Sequence, residues 1–350
     1  MSSARRSFSR RSALTFVWAV AAFAAGQLAL GLAVERWLPE VRDPDYAAKV
    51  ERLRARRAED PDQPLVLVLG SSRVQLGLRG GTINADGRSA LVFNFGLSGA
   101  GPYLDALCLR RLFAEGIRPD LLVLEVLPPT LNQPGDHPLE ETWLDGCRLR
   151  DAERAFLAHY HSDPDRARRQ WLKGRVPCVW HRDHLRSFIA LDVGGVGSAT
   201  ERVCRLTDAD GWLSYRSEDV TPEQRREYTE IARLQYAPTF ADFRLADGPS
   251  RALDDILTAC RQRGIPVALL VMPEGPTFRA HYPPSMRAGL DAHLRAVSAR
   301  WGVPLIDAHD WLADDAFWDS HHLLPRGAAA FTERFEREAL PPLLRNLPHR

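Results

Sequence analysis

Five short apolar runs constrain this chain more than any other feature, because none of them alternates and each soon meets a turn-forming residue. They are Leu65–Leu69, Leu91–Phe93, Leu121–Val126 (interrupted near its end by Glu125), Val267–Val271 and Val303–Ile306. A strand with one wet face alternates apolar and polar residues. A run that is apolar throughout has two buried faces and suits the interior of a parallel sheet. Amphipathic stretches follow or separate these runs: Tyr103–Glu115, Ser250–Arg263, Ser285–Trp301 and finally Gly327–Leu340. Gly264 and Gly302 stand where two of those helices need a C-cap. The alternation predicts an α/β fold, an open parallel sheet with helices on both faces. Residues 128–249 break the pattern. They are rich in Trp, His, Arg and Asp and lack clear apolar periodicity, so they read as one insertion over the carboxyl edge of the sheet.

No charged residue lies between Ala13 and Val34, a run of 22 residues. As a helix at about 1.5 Å per residue, such a run spans roughly 33 Å, enough for a bilayer core. Arg5, Arg6, Arg10 and Arg11 precede it, which favours a cytoplasmic amino terminus and export of the rest. Apolar sequence continues beyond the small-residue site Ala22-Phe23-Ala24, so an uncleaved anchor is expected and a cleaved signal peptide is the alternative. The expected organisation is a basic cytoplasmic tail (1–12), a transmembrane signal anchor (13–34), a juxtamembrane stalk (35–64) and an extracytoplasmic main domain (65–350).

The 350 residues are 45% hydrophobic and 26% charged, enough apolar sequence for a sizeable core. A net charge of +1 supplies no basic excess, so no nucleic-acid partner is expected. The arginines of Arg52–Arg57 and Arg166–Arg169 are flanked by acids and read as solvated helix faces. None of the five cysteines forms a Cys-x-x-Cys pair, so no zinc knuckle is indicated. Cys108 and Cys260 read as small core residues. Cys147, Cys178 and Cys204 share the insertion, where one bridge can form in an oxidising compartment.

Three short motifs carry chemistry. Gly70-Ser71-Ser72-Arg73 follows the first run, where a strand-to-helix turn exposes a serine and its own N–H can stabilise an oxyanion; the bland reading is a helix cap. Asn94-Phe95-Gly96-Leu97-Ser98-Gly99 follows the second run, and its glycines let backbone approach a ligand; it can equally be an ordinary βα turn. Asp319-Ser320-His321-His322 precedes the last helix, so one loop can deliver a base and the carboxylate that orients it. Adjacent histidines more often point apart than converge on a metal, and no metal or cofactor is expected.

Taken together, in this order, the motifs resemble the SGNH/GDSL hydrolase superfamily over roughly Leu65–Leu340. The resemblance implies a three-layer α/β/α sandwich around a five-stranded parallel sheet, with Ser72, Asp319 and His322 as catalytic triad. It places the N–H groups of Ser72 and Gly96 in the oxyanion hole. Ser71 replaces the family's aspartate, and the asparagine of its third block is absent after Glu125. The single anchor and the Gly-Ser-Ser start are similar to envelope acyl-transfer members, the D-alanine transfer and alginate acetylation proteins. That similarity implies an acylated glycan or polysaccharide substrate and a polytopic membrane-bound O-acyltransferase as partner. A plain envelope esterase and a catalytically silent scaffold of the same fold are the alternatives.

Other residues are placed to assist. Arg73 can bind a substrate anion or pair with an acid, and Asn94 and Glu274 are placed to line the cleft. Glu125, at the end of a buried strand, needs a partner and can orient the site, and Asp307 suits the cap of the following turn. His181 and His184 flank Asp183 without a third ligand. Ser98 is a rival nucleophile whose surroundings fail the Gly-x-Ser-x-Gly pattern.

Overall fold

The computed structural model describes residues 10–85, 88–132, 140, 144, 148–160, 176–189, 206–214, 220–241 and 243–347. Residues 1–9, Cys147, Cys204 and Arg166–Arg169 lie outside this set.

Each expected run is a strand. β1 (Leu65–Gly70), β3 (Arg88–Gly96), β4 (Leu121–Glu125), β5 (Val267–Val271) and β6 (Leu305–Asp307) form a parallel sheet in the order β3-β1-β4-β5-β6. The register pairs Leu65 with Leu91, Val66 with Leu121, and Leu122 with Val267. A sixth strand, β2 (Gly81–Ala85), departs from the expected count of five. It pairs antiparallel with β3 as a hairpin at the sheet edge. Its sequence, Gly-Thr-Ile-Asn-Ala, holds one large apolar residue, Ile83, because an edge strand needs only one buried face.

The two-residue pleat divides the core. Leu65, Leu67, Leu69, Phe93, Phe95 and Leu122 face one side, while Val66, Val68, Val92, Val123, Ala268 and Leu270 face the other. The first side is covered by α3 (Pro44–Glu59), α5 (Pro102–Ala114), α10 (Asp247–Gln262) and α12 (Pro284–Trp301). The second carries the short α4 (Ser72–Gly77), α13 (Pro325–Arg334) and α14 (Leu340–Arg345), the last two joined by a π-helical turn over Phe335–Ala339. The result is a mixed α/β fold of three layers. Gly264 and Gly302 both cap helices at φ 64°, a left-handed conformation that costs glycine little.

Between β4 and α10 the chain forms α6 (Asp151–Ala158), α7 (Pro177–Trp180), α8 (Arg182–Ile189) and α9 (Pro222–Ala241), with α11 (Pro276–Arg279) following β5. At the amino terminus α1 (Arg10–Arg36) is followed directly by α2 (Pro39–Arg42). Among the described residues α1 is the one helix long and apolar enough to cross a membrane.

The segment expected to be a stalk is instead part of the core. Tyr46, Val50 and Leu53, spaced i, i+4, i+7 along α3, are buried against the sheet's first side and α5. The Lys49 ammonium, also buried, donates to the carbonyls of Asn94 and Gly211. Asp43, between α2 and α3, accepts from Arg111 and Arg148 at 2.7 Å each, and Arg111 reaches on to Glu153 at 2.8 Å. Cys108 and Cys260 are buried as expected, and Cys178 is a free thiol.

Candidate active site

In a doubly wound sheet the crevice opens where the strand order reverses. Here that point lies between the carboxyl ends of β1 and β4, and Gly70-Ser71-Ser72 leaves β1 into it. Ser71 caps α4, its hydroxyl accepting from the Arg73 N–H at 3.1 Å. Across the crevice, the Glu125 carboxylate at the end of β4 accepts from the Ser71 N–H at 2.6 Å. These two bonds hold the turn, and Ser72 begins the helix with an N–H that has no intrahelical acceptor. A side chain at Gly70 would overlap Glu125, which explains the glycine before the serine pair.

The loop after β6 brings the other two motif residues to the same place. Ser72 Oγ lies 2.8 Å from His322 Nε2, and His322 Nδ1 lies 2.7 Å from Asp319 Oδ2. The other Asp319 oxygen accepts from the His322 N–H at 2.7 Å and from the His321 N–H at 3.1 Å. Ser320, between them, has φ 64°, the left-handed backbone that turns the chain back on itself. Its hydroxyl donates to Asp314 at 2.6 Å and accepts from the Phe278 N–H at 3.0 Å, which holds this conformation in place. Trp318 stacks on the His322 ring, 5.4 Å between centroids at 12°, and Tyr228 of α9 packs edge-on against Trp318. Burial alone would raise the Asp319 carboxyl, but His321 and His322 beside it, with the His322 hydrogen bonds, hold it at about 2.

Asp319, His321 and His322 lie close enough together to share a metal ion. Both His322 nitrogens, however, already face Asp319 and Ser72, and His321 is buried against Phe278, 4.8 Å between rings. Burial pushes the His321 imidazole well below its usual range, against the opposite pull of Asp319 beside it. The donor arrangement fits a serine–histidine–carboxylate relay better than a metal centre.

Gly96, Asn94 and Glu274 depart from expectation, whereas Arg73 pairs with an acid and Ser98 lacks a base, each a reading the sequence leaves open. The Gly96 N–H donates to the Asn94 side chain at 2.9 Å, and the residue packs against the Gln75 backbone, so it faces no oxyanion. Asn94 is fully buried and its amide donates to the carbonyls of Val74 at 2.7 Å and Leu78 at 2.6 Å, tying α4 to β3 rather than touching substrate. Arg73 and Glu274 are buried and paired with each other, and the Tyr282 hydroxyl donates to Glu274 at 2.7 Å. They brace α4 from beneath and do not line the cleft. Ser98 donates to Gln75 at 3.0 Å and meets no base there.

The loop of the second motif still reaches the site. The Leu97 N–H donates to the Gly70 carbonyl at 2.8 Å, and a tight turn follows, Ala100 N–H to Leu97 carbonyl at 3.1 Å with Gly99 at φ 70°. No acceptor for the N–H groups of Ser98 and Gly99 is found among the described residues. Glu125 takes the orienting place that the sequence allows it, through the Ser71 N–H, and Trp318 and Tyr228 are contributors that sequence reading gave no role. Asp307 caps the following turn as expected, 2.6 Å from His309 Nδ1.

Comparison with known proteins adds little. A family profile that carries no description matches residues 241–343, under a third of the chain. No curated protein matches. Among solved structures, a Bacteroides fragilis protein described as a candidate acylhydrolase aligns at 11% identity and TM-score 0.35, over 86% of this chain and 98% of its own. At that score the likeness is too loose to carry an argument.

Proposed function

We propose that this protein is a membrane-anchored serine acyl-ester hydrolase or transferase of SGNH type, acting on acylated glycans outside the cytoplasm. The observation that carries this reading is the continuous relay from Ser72 Oγ through His322 to Asp319, at 2.8 Å and 2.7 Å. His322 Nε2 takes the Ser72 proton as Oγ attacks the ester carbonyl, and returns it to the departing alkoxide. Asp319, ionised and buried, holds the tautomer with Nδ1–H toward itself and stabilises the imidazolium that forms. Water or a sugar hydroxyl, deprotonated by the same nitrogen, then takes the acyl group from Ser72.

The tetrahedral oxyanion is assigned to the Ser72 N–H and to the turn at Ser98-Gly99, in place of Gly96. With the third-block asparagine absent, the described residues supply this hole with backbone donors alone. Loss of one donor costs about 3 kcal/mol of transition-state stabilisation, which favours slow transfer to a bound acceptor over fast general ester hydrolysis.

The test is covalent labelling of the full-length chain in lipid vesicles with a fluorophosphonate. Wild type is expected to label once per chain, Ser72→Ala not at all, and His322→Ala at least 100-fold more slowly. Undiminished labelling of Ser72→Ala would remove Ser72 as nucleophile. A folded wild type that never labels would favour the silent scaffold.

A further inference from the structure

The apolar helix α1 contains one side-chain amide, Gln27, among aliphatic, aromatic and small residues. An amide in hydrocarbon is costly unless it is hydrogen-bonded. Gln27 is bonded: its carbonyl accepts from the Cys178 N–H at 3.2 Å. Cys178 lies in the first turn of α7, where that N–H has no partner within its own helix. One turn further along α1, Gly31 leaves room for the Pro177 ring, which a Cβ there would meet at 3.3 Å. Two residues on one face of α1 are therefore fitted to α7. Gln27 lies seven residues before Val34, about 10 Å inside the end of the apolar run at 1.5 Å per residue.

We propose that α7 is a second membrane-embedded element, seated on α1 in the outer half of the bilayer and meeting lipid acyl chains through Val179 and Trp180. The inference rests on reading α1 as the anchor. Val179 and Trp180 are 49% and 40% exposed, and on α1 Leu28 and Leu32, next in sequence to Gln27 and Gly31, are exposed as well. Charge begins immediately afterwards, with Arg182, Asp183 and Arg186 exposed along α8. His184 Nδ1 donates to the Val41 carbonyl of α2 at 3.1 Å, fixing α8 where the chain leaves α1. Trp37, also exposed, suits the same interfacial level. The gradient from apolar α7 to charged α8 is that of a wedge entering from the headgroups.

The test uses the full chain in phosphatidylcholine–phosphatidylglycerol vesicles doped with a phospholipid bearing a mid-chain diazirine. After irradiation, adducts are located by mass spectrometry. Adducts are expected on Val179 and Trp180 as well as on residues 13–34. Gln27→Leu and Gly31→Leu are each expected to lower the Val179 and Trp180 adducts at least threefold while those on α1 persist and near-ultraviolet dichroism stays native. Adducts on α1 alone would overturn the proposal and leave the anchor standing. Adducts on neither would overturn both. Adducts on Val179 and Trp180 that survive both substitutions would refute the seat on α1.

Discussion

The Asp319 carboxylate carries the clearest single-residue consequence. Its folded value lies near 2 against 3.8 for an ordinary aspartate, held there by the two histidines against the effect of burial. A carboxyl depressed in the folded state adds stability that is full above its unfolded value and lost as pH falls through the folded one. The shift corresponds to about 2 kcal/mol. Urea unfolding of wild type and Asp319→Asn is therefore expected to differ by about that amount above pH 4, and to converge as pH falls from 3.8 toward 2. A difference that persisted at pH 2 would show that the carboxylate charge is not what stabilises the loop. This residue was legible in the sequence because i, i+3 spacing before a helix confines two side chains to one short loop. Gly96 and Asn94 were misread for a reason of the same scale. Sequence shows that a glycine is present but not which way its N–H points, and here Asn94 turns back to take it. Arg73 and Glu274, 201 positions apart, could be recognised as a pair only once β5 lay beside the others.

Among the elements, α3 differs most from expectation. Its arginines gave it the look of a solvated spacer, yet Tyr46, Val50 and Leu53 repeat at helical spacing and are buried. Asp43 fixes the start of α3, held near 2 against burial by Arg148 and Arg111, which belongs to α5. Removing one partner of such a buried cluster strands the others, at a cost of about 3 to 5 kcal/mol. Asp43→Asn is expected to lower unfolding stability by that order in urea titration, and a loss under about 1 kcal/mol would mean the arginines find other partners. The five parallel strands were legible because unbroken apolar runs need little context, β6 included although its place at the sheet edge leaves it partly exposed. β2 was not, since a short edge strand with one large apolar residue resembles a loop.

For the molecule as a whole, the boundary of the folded unit lies before α2 and not before β1. Deleting residues 1–37 leaves every core residue from Val41 onward in place, and cooperative melting close to that of the full chain is expected by calorimetry. Deleting residues 1–63 strips Tyr46, Val50 and Leu53 from the sheet, each burial worth about 1.5 to 3 kcal/mol, and aggregation or a broad transition is expected. Equal melting of the two would return α3 to the role of a spacer. The three-layer order followed from sequence alone, whereas the attachment of α1 to the folded unit through α2 and α3 required the structure.

That attachment has a consequence for reach. A catalytic domain on a slack tether samples many heights above a surface, and its encounters follow the statistics of the linker. Here α1, α2 and α3 follow one another almost without interruption, and the last of them belongs to the core. With α1 in a bilayer, and Ser72 as the proposed nucleophile, the site would stand at one elevation and move only laterally. A polymer growing out from the same membrane would then be met at a set distance from its rooted end, and the protein would act as a ruler for where along that polymer its chemistry falls.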